Sequence, residues 1–131
     1  MPDEALIVDE TGSAAVEFTL VGAMLTVLTL AVLQLGLALH VRNTVHDAAA
    51  EGARFGALAD NAPADGAIRA TSLITEAVGS QYAGDVAVAS GSWNGHPTVV
   101  VTVRTTLPVI GLIGIEGGLE VSGHAPVETL D

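Results

Sequence analysis

With 131 residues, no cysteine and a formal net charge of −11, the chain has room for one small domain and carries no thiol chemistry or disulfide framework. Asp3, Glu4, Asp9 and Glu10 precede Gly12 without a base, and after Leu39 four Arg stand against ten Asp or Glu. That balance excludes nucleic-acid binding through phosphate charge, and it makes the domain a poor peripheral ligand for anionic lipid heads.

From Phe18 to Leu39 run 22 residues with no ionisable side chain and one amide, Gln34. At about 1.5 Å per helical residue the stretch reaches roughly 33 Å, enough for a hydrocarbon core of about 30 Å. It is too long for the core of a cleaved secretory signal, and reads as an uncleaved membrane anchor in contact with lipid. One acid, Glu17, sits at its leading edge, five residues after Gly12. A carboxylate costs about 2.5–3.5 kcal/mol at a membrane centre and less near the edge, so this one calls for an explanation. Either it snorkels to water at the interface, or it is a charge kept for pairing. Arg42 is the single base flanking the span, and charge bias alone would put the C-terminal domain in the cytoplasm.

The helix is expected to continue beyond the span, from about Ser13 to Leu58. Val41, Val45, Ala48, Ala49, Gly52, Phe55, Gly56 and Ala59 recur at three- and four-residue spacing, while Arg42, Asn43, Asp47, Glu51 and Arg54 take the other face. Ala48, Gly52 and Gly56 form a row of small residues that suits close packing, either against a partner helix or against the domain's own sheet. Asp60–Gly66 reads as a break. A second helix fits Ala67 to Val78, with Ala67, Ala70, Ile74, Ala77 and Val78 on one face and Gly79 as its stop.

Past Gly84 the period changes to two. Val86 and Val88 alternate, a turn follows at Asn94-Gly95, and Val99, Val101, Val103, Thr105 and Leu107 point one way against Thr102, Arg104 and Thr106. A last strand reads Leu119, Val121, Gly123, Ala125 and Val127 inward, with Pro126 suited to an edge or an end. The apolar segment 107–115 is too short to span a bilayer; it reads as a buried loop or as a contact site for lipid or an adjacent subunit, and the contact site is the favoured expectation. The expected fold class is α+β: a long N-terminal membrane-spanning helix continuing into a small domain with a second helix and a three-stranded antiparallel sheet.

Catalytic and metal chemistry find little support. His40 and His46 fall on different faces of a helix, His96 on a turn and His124 on the outer face of a strand, so no three ligands gather. No serine sits in a nucleophile elbow, and Gly91-Ser92-Trp93-Asn94-Gly95 lacks the lysine and following helix of a phosphate loop. The expectation is a non-enzyme with no cofactor and no metal.

The run Gly12-Ser13-Ala14-Ala15-Val16-Glu17-Phe18 resembles the processing site of type IV pilin-like proteins. With Val41-Arg42-Asn43, the run Asp47–Arg54 and the β-rich ending, the chain is similar to the TadE-like family, minor pilins of tight-adherence (Tad) pilus systems. Family members usually carry Arg or Lys before the glycine, where this chain has four acids. The resemblance implies a leader over 1–12, a transmembrane helix over 13–39 and an extracytoplasmic domain over 40–131, the reverse of the charge-bias orientation. It implies cleavage between Gly12 and Ser13 by a prepilin peptidase, and subunit pairing through Glu17 beside Phe18. The implied partners are that peptidase, other minor pilins and the major pilin, and the inner-membrane assembly platform. The rival expectation is an unprocessed, single-pass accessory or ligand-binding subunit.

Overall fold

The structure is a computed structural model that describes residues 2–108 and 114–130, with side chains described over 10–108 and 118–130. Its elements are α1 (Pro2–Ala57), α2 (Pro63–Ala77), a 3-10 turn (Ser80–Tyr82), β1 (Asp85–Trp93), β2 (His96–Pro108) and β3 (Gly114–Pro126). The architecture is α+β as expected, with both helices against one face of a three-stranded antiparallel sheet ordered β1-β2-β3.

Helix α1 starts at Pro2 instead of near Ser13, and its 56 residues extend about 84 Å at 1.5 Å per residue. Between Pro2 and Gly12 neither proline nor glycine interrupts it. Gly12 itself costs a helix this long only about 1 kcal/mol relative to alanine. At the far end the Asn61 side chain donates to the Phe55 carbonyl (2.8 Å), closing one of the carbonyls a helix end leaves open.

The upper half of α1 buries Val41, Val45, Ala48, Ala49, Gly52, Ala53, Gly56 and Ala57, while Arg42, Asn43, Asp47, Glu51 and Arg54 face water. Glu51 and Arg54 pair at 3.6 Å. Phe55 and Ala59, expected on the inner face, are exposed. The buried stripe is rotated toward Ala53 and Ala57, and the Phe55 ring lies at the margin under the Arg69 guanidinium, 5.9 Å from its centroid.

Helix α2 begins at Pro63, four residues before its expected start. Proline suits the first helical position, where its missing N–H is no loss, and the Asp65 carboxylate accepts from the Ala62 N–H at 2.8 Å. Gly66, read from sequence as a breaker, is buried inside this helix with Ala70 and Ile74; Ala77 is exposed and Val78 half-buried. Gly79 is the stop, with φ of 114° and its N–H donating to the Ile74 carbonyl at 3.2 Å.

The sheet is a meander. Trp93 pairs with His96 across a two-residue turn in which Asn94 (φ 49°) and Gly95 (φ 79°) take the left-handed conformations of a type I′ hairpin. Val99, Val101 and Val103 of β2 with Leu119, Val121 and Ala125 of β3 point into the core, against Val41, Val45, Ala49, Ala53, Ala70 and Ile74. A register shift between Thr105 and Leu107 breaks the alternation, so Leu107 is only half-buried and Pro108 is covered. Val127, expected to close the inner row, lies past the end of β3 and is exposed. Residues 109–113, which carry most of the apolar loop expected to make contacts, lie outside the described residues.

Thr105 points inward, and its Oγ1 is buried with no hydrogen-bond partner among the described residues. A desolvated hydroxyl left unpaired costs about 1–3 kcal/mol. Thr105→Val keeps the shape and removes that cost, and should raise the melting temperature of the domain by about 4–8 °C per kcal/mol recovered. Thr105→Ser, which keeps the hydroxyl and loses the methyl, should lower it; thermal circular dichroism in nanodiscs reads both.

Candidate membrane anchor and processing site

All of Gly12 to Phe18 lies within the continuous helix α1, and each of these residues is exposed. A Cβ placed on Gly12 would meet nothing within 4 Å, so the glycine is not required by packing inside this chain. Glu17 projects from the same helix, and among the described residues no cation pairs with it. Phe18, 82% exposed, opens the apolar span.

The span is apolar on every side. Leu20, Val21, Met24, Leu25, Val27, Leu28, Leu30, Val32 and Leu33 are all exposed, and together they go round the helix. An exposed helix of this kind in water would be a liability, whereas lipid suits it. The polar hydroxyls within it are satisfied by the helix itself: Thr19 donates to the Ala15 carbonyl (2.9 Å), Thr26 to Gly22 (2.8 Å) and Thr29 to Leu25 (2.8 Å). Such internal bonding is what a hydrocarbon environment demands, since no water is available to a stray donor. Within Glu10–Ala57 lies a stretch long and apolar enough to cross a membrane.

Above the span, Gly52 and Gly56 of the small row meet α2 of the chain itself, where the sheet was the expected internal partner. A Cβ on Gly52 would come within 2.8 Å of the Ala70 Cβ, and one on Gly56 within 3.2 Å of the Gly66 backbone. On the sheet side, Gly123 lies against the Ala49 carbonyl group. Ala48 is buried in the same core. Sequence spacing identified the row on α1 and missed its counterpart, Gly66 on α2, because glycine in a polar stretch reads first as a turn.

Among the described residues no three His, Asp or Glu side chains gather as a metal site. His96 and His124 nevertheless share the outer face of the sheet at the hairpin end, a placement the sequence did not disclose.

The TadE-like protein family model matches residues 12–54. That segment of the chain is TadE-like. The match covers roughly a third of the molecule, opens on Gly12, takes in Glu17 and the whole apolar span, and ends on the exposed face at Arg54. No curated protein and no solved structure matches the chain.

Proposed function

We propose that this protein is a minor pilin-like subunit of a Tad-type pilus assembly or secretion system. The observation that carries the reading is the TadE-like match over Gly12, Glu17 and the span, on a single helix that leaves all three open to other molecules. In this reading a prepilin peptidase cuts after Gly12, freeing the amine of Ser13. Glu17 then meets the corresponding amine of a neighbouring subunit. In low dielectric such a pair offsets much of the cost of holding a carboxylate at the membrane edge, provided the geometry is good. The aliphatic span and Phe18 hold the subunit in the inner membrane. Its domain, residues 40–131, stands outside, where other minor pilins, the major pilin and the assembly platform are met. The chain has a structural role in starting or supporting pilus assembly, with no catalytic step of its own.

The test is orientation, since a domain on the cytoplasmic side is incompatible with this role. Ser92 is exposed near the end of β1, and the chain has no native thiol to interfere. Ser92→Cys should react with a membrane-impermeant maleimide in cells whose outer envelope is permeabilised and whose inner membrane is intact. Labelling only after the inner membrane is broken would place the domain in the cytoplasm and remove the pilin reading.

A further inference from the structure

The outer face of the sheet carries no helix, and at its hairpin end it is concave. The strand register explains the shape. Ala89, Val100 and His124 form one cross-strand row, Gly91, Thr98 and Pro126 the next, and Trp93 and His96 the last. Gly91 has no side chain to fill the middle row, so a dip opens between its neighbours. Trp93, the single tryptophan, is 73% exposed at the rim, while Thr98 on the floor is 6% exposed. The cavity measures about 550 Å³.

Its chemistry is specific in what it omits. No carboxylate, guanidinium or ammonium lines it, although the chain as a whole is strongly acidic. The rim offers hydrogen-bonding groups from Asn94, His96 and His124 beside the flat apolar face of the indole. Thr98 Oγ1 donates to the His96 carbonyl at 3.2 Å, which leaves its lone pairs facing the cavity available as acceptors. Farther down the same face the Thr102–Ser122 hydrogen bond (3.0 Å) and the Arg104–Glu120 ion pair (2.8 Å) close the surface with polar groups. The apolar opening is therefore confined to three rows, about 13 Å along the strands. That length takes one or two sugar rings and is short for a docked amphipathic helix. A volume in this range, mostly apolar with a few placed polar groups, is the ordinary form of a small-molecule site.

Its position is also defined. The Glu128 N–H donates to the Ala57 carbonyl at 2.8 Å, and Thr98 pairs with Pro126, so the hairpin sits at the end of α1 remote from the span. Ala57 lies eighteen residues beyond Leu39, about 27 Å of helical rise. The cavity lies at the end of the domain remote from any membrane that holds residues 18–39.

We infer that this concavity binds a neutral hexose ring, stacked on the Trp93 indole and hydrogen-bonded by Asn94, His96 and His124. A hexose presents one apolar C–H face and a girdle of hydroxyls that both donate and accept, which matches an indole platform rimmed by an amide and two imidazoles. The inference stands on the site itself and is independent of whether the chain is cut after Gly12.

The experiment uses the full chain in nanodiscs free of glycoside detergent, titrated with the methyl glycosides of glucose, galactose, mannose and N-acetylglucosamine. Because Trp93 is the single indole, its emission reports the cavity directly; ligand saturation-transfer NMR gives an independent reading. At least one glycoside should give a saturable emission change and ligand-side transfer, and Trp93→Ala should abolish the transfer. Gly91→Val keeps the indole and fills the floor. Its Cβ would sit 3.7 Å from the Val100 side chain, an ordinary contact, so the fold should tolerate it. That variant should bind about tenfold more weakly or worse, on the scale of losing one well-packed aromatic contact, with an unchanged melting curve. No saturable response to any of the four glycosides would overturn the inference, as would unaltered binding by Gly91→Val.

Discussion

Gly12→Val should leave the chain in the membrane at full length, whereas the native protein, extracted and weighed intact, should begin at Ser13. Residues 2–57 form one continuous helix, so the bond after Gly12 lies inside hydrogen-bonded backbone. A peptidase must open that backbone locally to reach the bond. Glycine lowers the cost of opening by about 1 kcal/mol relative to alanine, and it presents no side chain to the enzyme. Valine removes both advantages. It should not disturb the protein otherwise, because among the described residues nothing beyond its own helical turn lies within 4 Å of the added Cβ. A precursor that accumulates at normal abundance therefore reports on the peptidase and not on misfolding. Processing of Gly12→Val to Ser13 at the native rate would end the peptidase reading. The unprocessed accessory-subunit alternative predicts a retained leader in both proteins.

Linear features were the ones legible in the sequence. The membrane span, the Gly12–Phe18 run and the Asn94-Gly95 turn each depend on neighbours in the chain, and each needs only local chemistry to be read. Strand alternation was legible for the same reason as far as Thr105, and it failed at the register shift beyond, which pairing with β3 decides. Glycine was the harder residue. Gly66 and Gly79 look alike from sequence, yet one is buried within α2 against Gly52 and the other ends the helix with a positive φ. Glycine serves close approach and turning equally well, and only the packing partner distinguishes the uses. The Trp93, His96 and His124 grouping was hidden for a related reason. His124 reaches the hairpin through β2–β3 pairing, and no local periodicity encodes which residues of two strands become neighbours.

The Gly123→Val substitution should be the most damaging single change in the domain. Gly123 faces inward on β3, where a Cβ would overlap the Ala49 carbonyl group and the Ala50 nitrogen. Its φ is not positive, so the requirement is for space and not for backbone freedom. Those neighbours are backbone atoms of α1 and cannot turn aside as a side chain can. The sheet would have to lift from the helix, loosening the contacts of Val99, Val101 and Val121 with Val45 and Ala49. Overpacking of a yielding core costs about 1–3 kcal/mol; against rigid backbone the cost should exceed about 3 kcal/mol. At 4–8 °C per kcal/mol for a domain of this size, the melting temperature should fall by about 12 °C or more. His124→Ala, one residue along and exposed on the opposite face, should stay within about 0.5 kcal/mol of the native protein. Membrane retention should be the same for all three proteins, because an apolar span over Phe18 to Leu39 would make its contacts with lipid and need no sheet. Thermal circular dichroism in nanodiscs separates these outcomes. A Gly123→Val protein that melts with the native one would mean that α1 and the sheet do not approach this closely, and the packing assigned to Gly52, Gly56 and Gly66 along the same buried stripe of α1 would need re-examination with it.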